Sequence, residues 1–252
     1  MKNHFFIPYD GNKRREVEGL YNQIKDKIDN IDTIVEPFCG TSAFSYYLSL
    51  KHPKRFKYIL NDNNHHLLSL YQAGSDPEQL DALIDKLTDF SKDITKEKYK
   101  NICKEDIFEN WMYKHKVYSL RPGLFPIRDK IKTDFSGLKD TPIINFLRNE
   151  DITLYNEEGV SIVELFKDKE RTLIFLYPPY LAACNAFYYD SKLNIYEYLY
   201  YNPIDKMKAY IVLCLEDNWI VKLFFNQFVK SSYDKQYEVG NRKKTTHLII
   251  TN

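Results

Sequence analysis

Two stretches of the chain carry residue types suited to chemistry on a nucleotide. The first is Tyr177-Pro178-Pro179-Tyr180, directly after the apolar run Leu173 to Leu176. Proline can neither donate to a ladder nor continue a helix, so the apolar run reads as a buried strand that stops there. What remains is a rigid turn carrying an exposed aromatic at a strand's carboxyl end, where open α/β sheets bind ligands. The second stretch begins with the β-branched strand Thr33 to Val35 and the loop Glu36-Pro37-Phe38-Cys39-Gly40. Thr41 or Ser42 then caps a helix running through Tyr46, Leu48 and Leu50. Glycine lets the backbone approach a ligand, and the helix amino terminus offers N–H groups. About twenty positions beyond Gly40, Asp62 ends a further short strand, Tyr58 to Leu60. An acidic residue so placed commonly takes ribose hydroxyls.

In this order the stretches resemble the Dam-like family of adenine-N6 DNA methyltransferases. That family carries a Glu-Pro-Phe-x-Gly-x-Gly loop for S-adenosylmethionine and a later Asp-Pro-Pro-Tyr for the target adenine. This chain has Glu36-Pro37-Phe38-Cys39-Gly40-Thr41-Ser42, with Ser42 at the second glycine, and Tyr177 at the acidic position. The resemblance implies that Tyr9, Gly11 and Lys13 embrace the methionine end of the cofactor, the lysine as a point charge for its carboxylate. It implies that Asp62 binds the ribose and that Glu36 supports the cofactor or its loop. An acidic residue after the strand Ile152 to Tyr155, Glu157 or Glu158 with Glu158 preferred, is expected at the cofactor's adenine.

The change at Tyr177 bears on the reaction itself. In the family, the Asp side chain and the first proline carbonyl accept the amino hydrogens of an extruded adenine, and the closing Tyr stacks on the base. Pro178, Pro179 and Tyr180 retain the carbonyl and the stacking ring. Tyr177 offers a hydroxyl where the family has a carboxylate, and a free phenol titrates only near ~10. Losing a preorganised charged acceptor typically costs on the order of a hundredfold to a thousandfold in rate. The expectation is a methyltransferase with transfer weakened or abolished; the alternative is an inactive DNA-binding or scaffold subunit that partners an active enzyme.

The elements that must position these residues are legible as an α/β chain. We expect a Rossmann-like methyltransferase sheet with a closing antiparallel hairpin, Val229 to Tyr237 with Thr245 to Thr251, around Gly240-Asn241-Arg242. Residues 1–72 and 151–252 form the methyltransferase domain in this reading. Residues 73–150, with helical periodicity after Pro77 and again from Lys96 to Tyr113, form an inserted, mostly helical target-recognition domain. Helices are also expected from Arg14 to Ile28, from Ile162 to Phe166 and near Asn218 to Phe225.

Double-stranded DNA is the expected partner, bound by local patches, because the net charge of +1 gives no overall basic field. Between positions 113 and 132, Lys114, Lys116, Arg121, Arg128, Lys130 and Lys132 face one acid, Asp129, interleaved with Tyr113, Tyr118 and Phe125. Such residues neutralise phosphates and stack in the gap left by an extruded base. A second basic segment, positions 230–244, includes Arg242 and Lys243. The four cysteines show no paired spacing, so reduced thiols are expected and neither a disulfide frame nor a metal site. No stretch approaches the ~20 apolar residues of a membrane span. The reading is a soluble, intracellular protein, a monomer or a dimer with an active methyltransferase.

Overall fold

The computed structural model describes residues 3–9, 12–92, 94–95, 98, 106–118, 134–178, 195–236 and 244–252. They fall into two compact units, Met1–Arg14 with Asn64–Asn149 and Arg15–Asn63 with Glu150–Asn252.

The second unit is built on a seven-stranded sheet. In chain order its strands are β1 (Thr33–Glu36), β2 (Lys57–Asn61), β3 (Asp151–Tyr155), β4 (Thr172–Leu176), β5 (Tyr210–Glu216), β6 (Val229–Gln236) and β7 (Lys244–Thr251). They lie in the order β3-β2-β1-β4-β5-β7-β6. The first five pair in parallel, and β7 runs antiparallel between β5 and β6. This is a mixed α/β, Rossmann-like sheet with a closing antiparallel hairpin. The strand order reverses between β1 and β4, where Val35 lies beside Ile174. Loops leaving the carboxyl ends of those two strands therefore flank the switch point of the sheet, where such folds open a crevice.

Strand alternation gives the sheet two apolar faces. One face carries Val35, Ile59, Ile174, Leu176, Ile211, Leu213, Leu215, Leu248 and Ile250. They pack with residues of α7 (Gly159–Phe166), α8 (Ile195–Tyr201) and α9 (Trp219–Phe225). The opposite face holds Phe175, which stacks on Phe44 of α2 (Ala43–Lys51) at 4.2 Å between ring centroids. Parallel strands covered on both sides are near-continuously apolar, and all five residues of β4 are buried. Before them, α1 (Val17–Ile28) buries Val17, Leu20, Ile24 and Ile28, one stripe at helical spacing. It starts three residues later than Arg14, which with Arg15 and Glu16 forms a turn. Glu16 makes a largely buried 2.7 Å ion pair with Lys235 of β6.

The first unit is helical among its described residues: α3 (His65–Ser75), α4 (Pro77–Lys92), α5 (Phe108–Tyr118) and α6 (Ile143–Asn149). Of the helix expected from Lys96 to Tyr113, Lys98 and the residues from Phe108 on are helical, the latter as Phe108–Tyr118, while residues 96–97 and 99–105 lie outside the described set. Phe5, Phe6, Ile7, Tyr71, Leu80, Leu87, Met112, Tyr113 and Phe135 are buried here. Gly74 is required where α3 meets the amino-terminal segment, because a Cβ would lie 2.5 Å from the Phe6 ring. No helix among the described residues is long and apolar enough to cross a membrane.

Candidate functional site

At the carboxyl end of β1 the chain must leave a buried strand and enter α2 within six residues. Gly40 and Ser42 make this turn in the left-handed region, at φ 48° and 46°. Glycine adopts that conformation freely, whereas Ser42 holds it against a Cβ clash of about 1–2 kcal/mol. That conformation accounts for a glycine at the second position of the loop pattern. Ser42 occupies the capping position, yet its side chain makes no cap bond, contrary to the expectation for Thr41 or Ser42. The cap comes from Glu36, whose Oε1 accepts the Ser45 N–H at 2.9 Å. Glu36 is buried, and burial pushes its carboxyl up to about 7 against the opposing effect of the Ser45 bond.

The other carboxyl-end loops are tied to this one. Asp62 Oδ2 accepts the Gly40 N–H at 3.0 Å, so the expected ribose ligand also fixes the glycine. Cys39 N–H donates to the Asn61 carbonyl at 2.8 Å. The buried Asn61 amide donates to the carbonyls of Pro37 (2.8 Å) and Glu157 (2.9 Å) and accepts the Glu157 N–H (2.9 Å). Asn156 donates to the Asp62 carbonyl at 2.7 Å. Three loops following β1, β2 and β3 thus form one hydrogen-bonded rim. Asn61 was not singled out by sequence reasoning; its signal is an amide at the last position of an apolar strand, where a buried side chain must find polar partners.

Phe38 is half-buried and seated on Gly159, the first residue of α7, where an added Cβ would stand 2.4 Å from the ring. Glu158, the preceding residue, is exposed at the N-cap position of α7 without a side-chain cap bond. Cys39 is buried and its thiol is held well above its usual range by burial, then by Asp62 and Glu36, which makes it a filler and not a nucleophile.

The end of β4 differs from expectation in one respect. Tyr177 is buried, and its hydroxyl lies 2.7 Å from His247 Nδ1 and 3.0 Å from the Tyr233 hydroxyl. His247 on β7 is fully buried and stands opposite Tyr233 on β6. Tyr177 is therefore held by the closing hairpin. His247 shares a sheet face with Ile249 in the alternation of Thr245-Thr246-His247-Leu248-Ile249; that inward position was its sequence signal. Pro178 is buried beside Tyr177. Pro179 and Tyr180 lie outside the described residues.

The remaining candidates divide as follows. Tyr9 belongs to the helical unit, where it stacks on His115 at 5.4 Å and meets Phe5 edge-on at 6.1 Å. Burial pushes the His115 ring down to about 4, so it is neutral at physiological pH; its Nδ1 lies 3.0 Å from the Pro8 carbonyl. Lys13 is half-buried in the same unit. Lys114 and Lys116 are half-buried on α5. Gly11, Arg121, Arg128, Lys130, Lys132, Arg242 and Lys243 lie outside the described residues.

The rim unites a glycine turn, a capped helix start and a carboxylate at the second strand's end. Those are the groups that a nucleoside-bearing cofactor requires. Residues 9–122 match the family model of the D12 class N6 adenine-specific DNA methyltransferases. The matched interval contains the Gly40 loop, Asp62, Tyr9 and Lys13. No curated protein matches the chain. Solved structures similar to it include a Haemophilus influenzae protein assigned as a methylase, 12% identical, covering 98% of this chain and 91% of that chain at a TM-score of 0.38. Another is an Escherichia coli protein assigned as a methyltransferase, 13% identical, covering 97% and 89% at a TM-score of 0.37.

Proposed function

We propose that the chain is an S-adenosylmethionine-dependent methyltransferase acting on the N6 amine of adenine in double-stranded DNA, with transfer weakened at Tyr177. The observation that carries this reading is the D12-class match across the loop that Asp62 and Glu36 hold in place. The cofactor would supply an activated methyl group. The chain's own residues would do the rest. Asp62, already fixed on Gly40, would take the ribose, and Glu158 at the start of α7 would meet the adenine of the cofactor. Tyr9, Gly11 and Lys13 would receive the methionine end.

On the substrate side, the Pro178 carbonyl would accept one amino hydrogen of the extruded base and Tyr180 would stack on it. Residues 73–150, with Lys114, Lys116, Arg121, Arg128, Lys130 and Lys132, would track the phosphates, joined by Arg242 and Lys243. A carboxylate at position 177 would accept the second amino hydrogen and stabilise the positive charge growing on nitrogen. Tyr177 instead brings a hydroxyl already engaged by His247 and Tyr233. That engagement also favours a second reading, a non-catalytic subunit that binds DNA beside an active enzyme.

The deciding experiment is calorimetric titration with S-adenosylmethionine, followed in the same samples by methyl transfer to adenine-containing duplex DNA, with Tyr177→Asp alongside. Cofactor binding with transfer at least a hundredfold greater in Tyr177→Asp supports the first reading. Transfer by the unaltered chain at the variant's rate overturns the role given to Tyr177. Absence of cofactor binding in both overturns the enzyme reading.

A further inference from the structure

We propose that His65, His66 and Asp106 form a binding site for a divalent transition-metal ion of the zinc type. The argument lies wholly within the helical unit and does not depend on methyl transfer. Asn64 caps α3, its side chain accepting the N–H groups of His66 (3.1 Å) and Leu67 (3.3 Å). That cap fixes the first helical turn and with it the directions in which both histidines leave the backbone. Successive side chains on a helix diverge by about 100°, yet these two rings lean together, with centroids 4.0 Å apart and planes inclined at 46°. Asp106, on the segment entering α5, places Oδ1 2.8 Å from His66 Nε2. One ligand atom from each of the three side chains lies within 4.8 Å of the others.

The donor set selects the ion. Two imidazoles and one carboxylate suit zinc and its neighbours, whereas magnesium and calcium favour oxygen ligands throughout. Ligand atoms about 2.0–2.2 Å from a tetrahedral zinc stand roughly 3.3 Å apart. The His66–Asp106 pair is already close to that spacing, with a proton where the ion would sit. His65 and Asp106 are exposed, Asp106 with 58% of its side chain accessible, so both can close by the remaining ~1.5 Å between 4.8 Å and the tetrahedral spacing. His66 is buried between Trp111 (5.7 Å) and Phe108 (5.9 Å) and supplies the fixed ligand. The ion would tie the start of α3 to the entry of α5 and keep one coordination position for water.

A plain His66–Asp106 hydrogen bond predicts no zinc binding that depends on His65, and this separates the two accounts. The chelator-treated full chain is titrated with zinc chloride by calorimetry, with magnesium chloride as control, and unfolded thermally with and without zinc. Cobalt(II) absorption reads the coordination geometry. The expected result is one zinc per chain, magnesium at least a hundredfold weaker, and a zinc-dependent rise in Tm. His65→Ala and Asp106→Asn each weaken zinc binding at least tenfold; His65→Ala, at an exposed position, leaves the metal-free Tm unchanged. No zinc binding by the native chain overturns the proposal. So does equal binding by the double variant His65→Ala/Asp106→Ala.

Discussion

Tyr177 shows how a side chain at a strand's end is held by partners far away in the sequence. A phenol at a strand's carboxyl end reaches two strands across the sheet, and there it meets a buried histidine and a second phenol. Tyr177→Phe deletes a hydroxyl bonded to His247 and Tyr233, and losing a hydrogen bond of this kind costs about 0.5–1.5 kcal/mol. The expected outcome is a lower urea midpoint at unchanged m-value. At the same scale, Glu36 makes stability depend on pH. Folded, it holds its proton up to about 7; unfolded, it releases it near 4.5. Between those values the unfolded chain binds fewer protons at this group, so the contribution of Glu36 to stability is greatest below about 4.5 and is lost as pH rises through 7. The full difference is about 3 kcal/mol. His115, whose ring burial pushes down to about 4, contributes in the opposite sense in both chains, so urea titrations from pH 5 to 8 should show the native chain losing stability relative to Glu36→Gln.

The elements were more legible than the contacts between them. Thr33 to Val35, Tyr58 to Leu60, Ile152 to Tyr155 and Leu173 to Leu176 announce strands by composition, and each is observed within a residue or two of its expected bounds. The hairpin was equally plain from its alternation. What the pattern did not carry was long-range hydrogen bonding. Nothing local in Asn61 says that it will bridge Pro37 and Glu157, nor in Glu36 that it will cap α2. Asp62 was found because it sits at a fixed distance from a glycine loop. Its bond to Gly40 was not. The contact between α7 and the loop supplies a test at this scale. Gly159→Ala forces the Phe38 ring to move, since the new methyl would overlap it. S-adenosylmethionine affinity should fall about tenfold or more by calorimetry, with the circular dichroism spectrum unchanged.

For the molecule as a whole, charge and surface act together. The formal net charge is +1 and the sequence pI about 7.6, so little self-repulsion opposes association near neutral pH. Tyr200 and Tyr201 on α8 and Trp219, Leu223 and Phe224 on α9 are exposed large apolar side chains, and Tyr200 meets Phe224 edge-on at 5.4 Å. Contiguous apolar surface of this kind drives association. Light scattering should rise towards pH 7.6 and fall away on either side, and Trp219→Glu should reduce it without altering the fold.

The order of strands also sets the order of events on the ribosome. Asn61 and its partner Glu157 are 96 positions apart, and β1 likewise lies between strands from both ends of that gap. At roughly 5–20 residues per second, a nascent chain holding β1 and β2 waits on the order of 5–20 s for β3 and β4. During that interval α3 to α6 emerge, helices whose own backbone bonds are local and quick to form. The sheet's first pair meanwhile has open edges on both sides, the kind of surface that chaperones cover. The rim around Gly40 can therefore be completed only after residue 157 has been made.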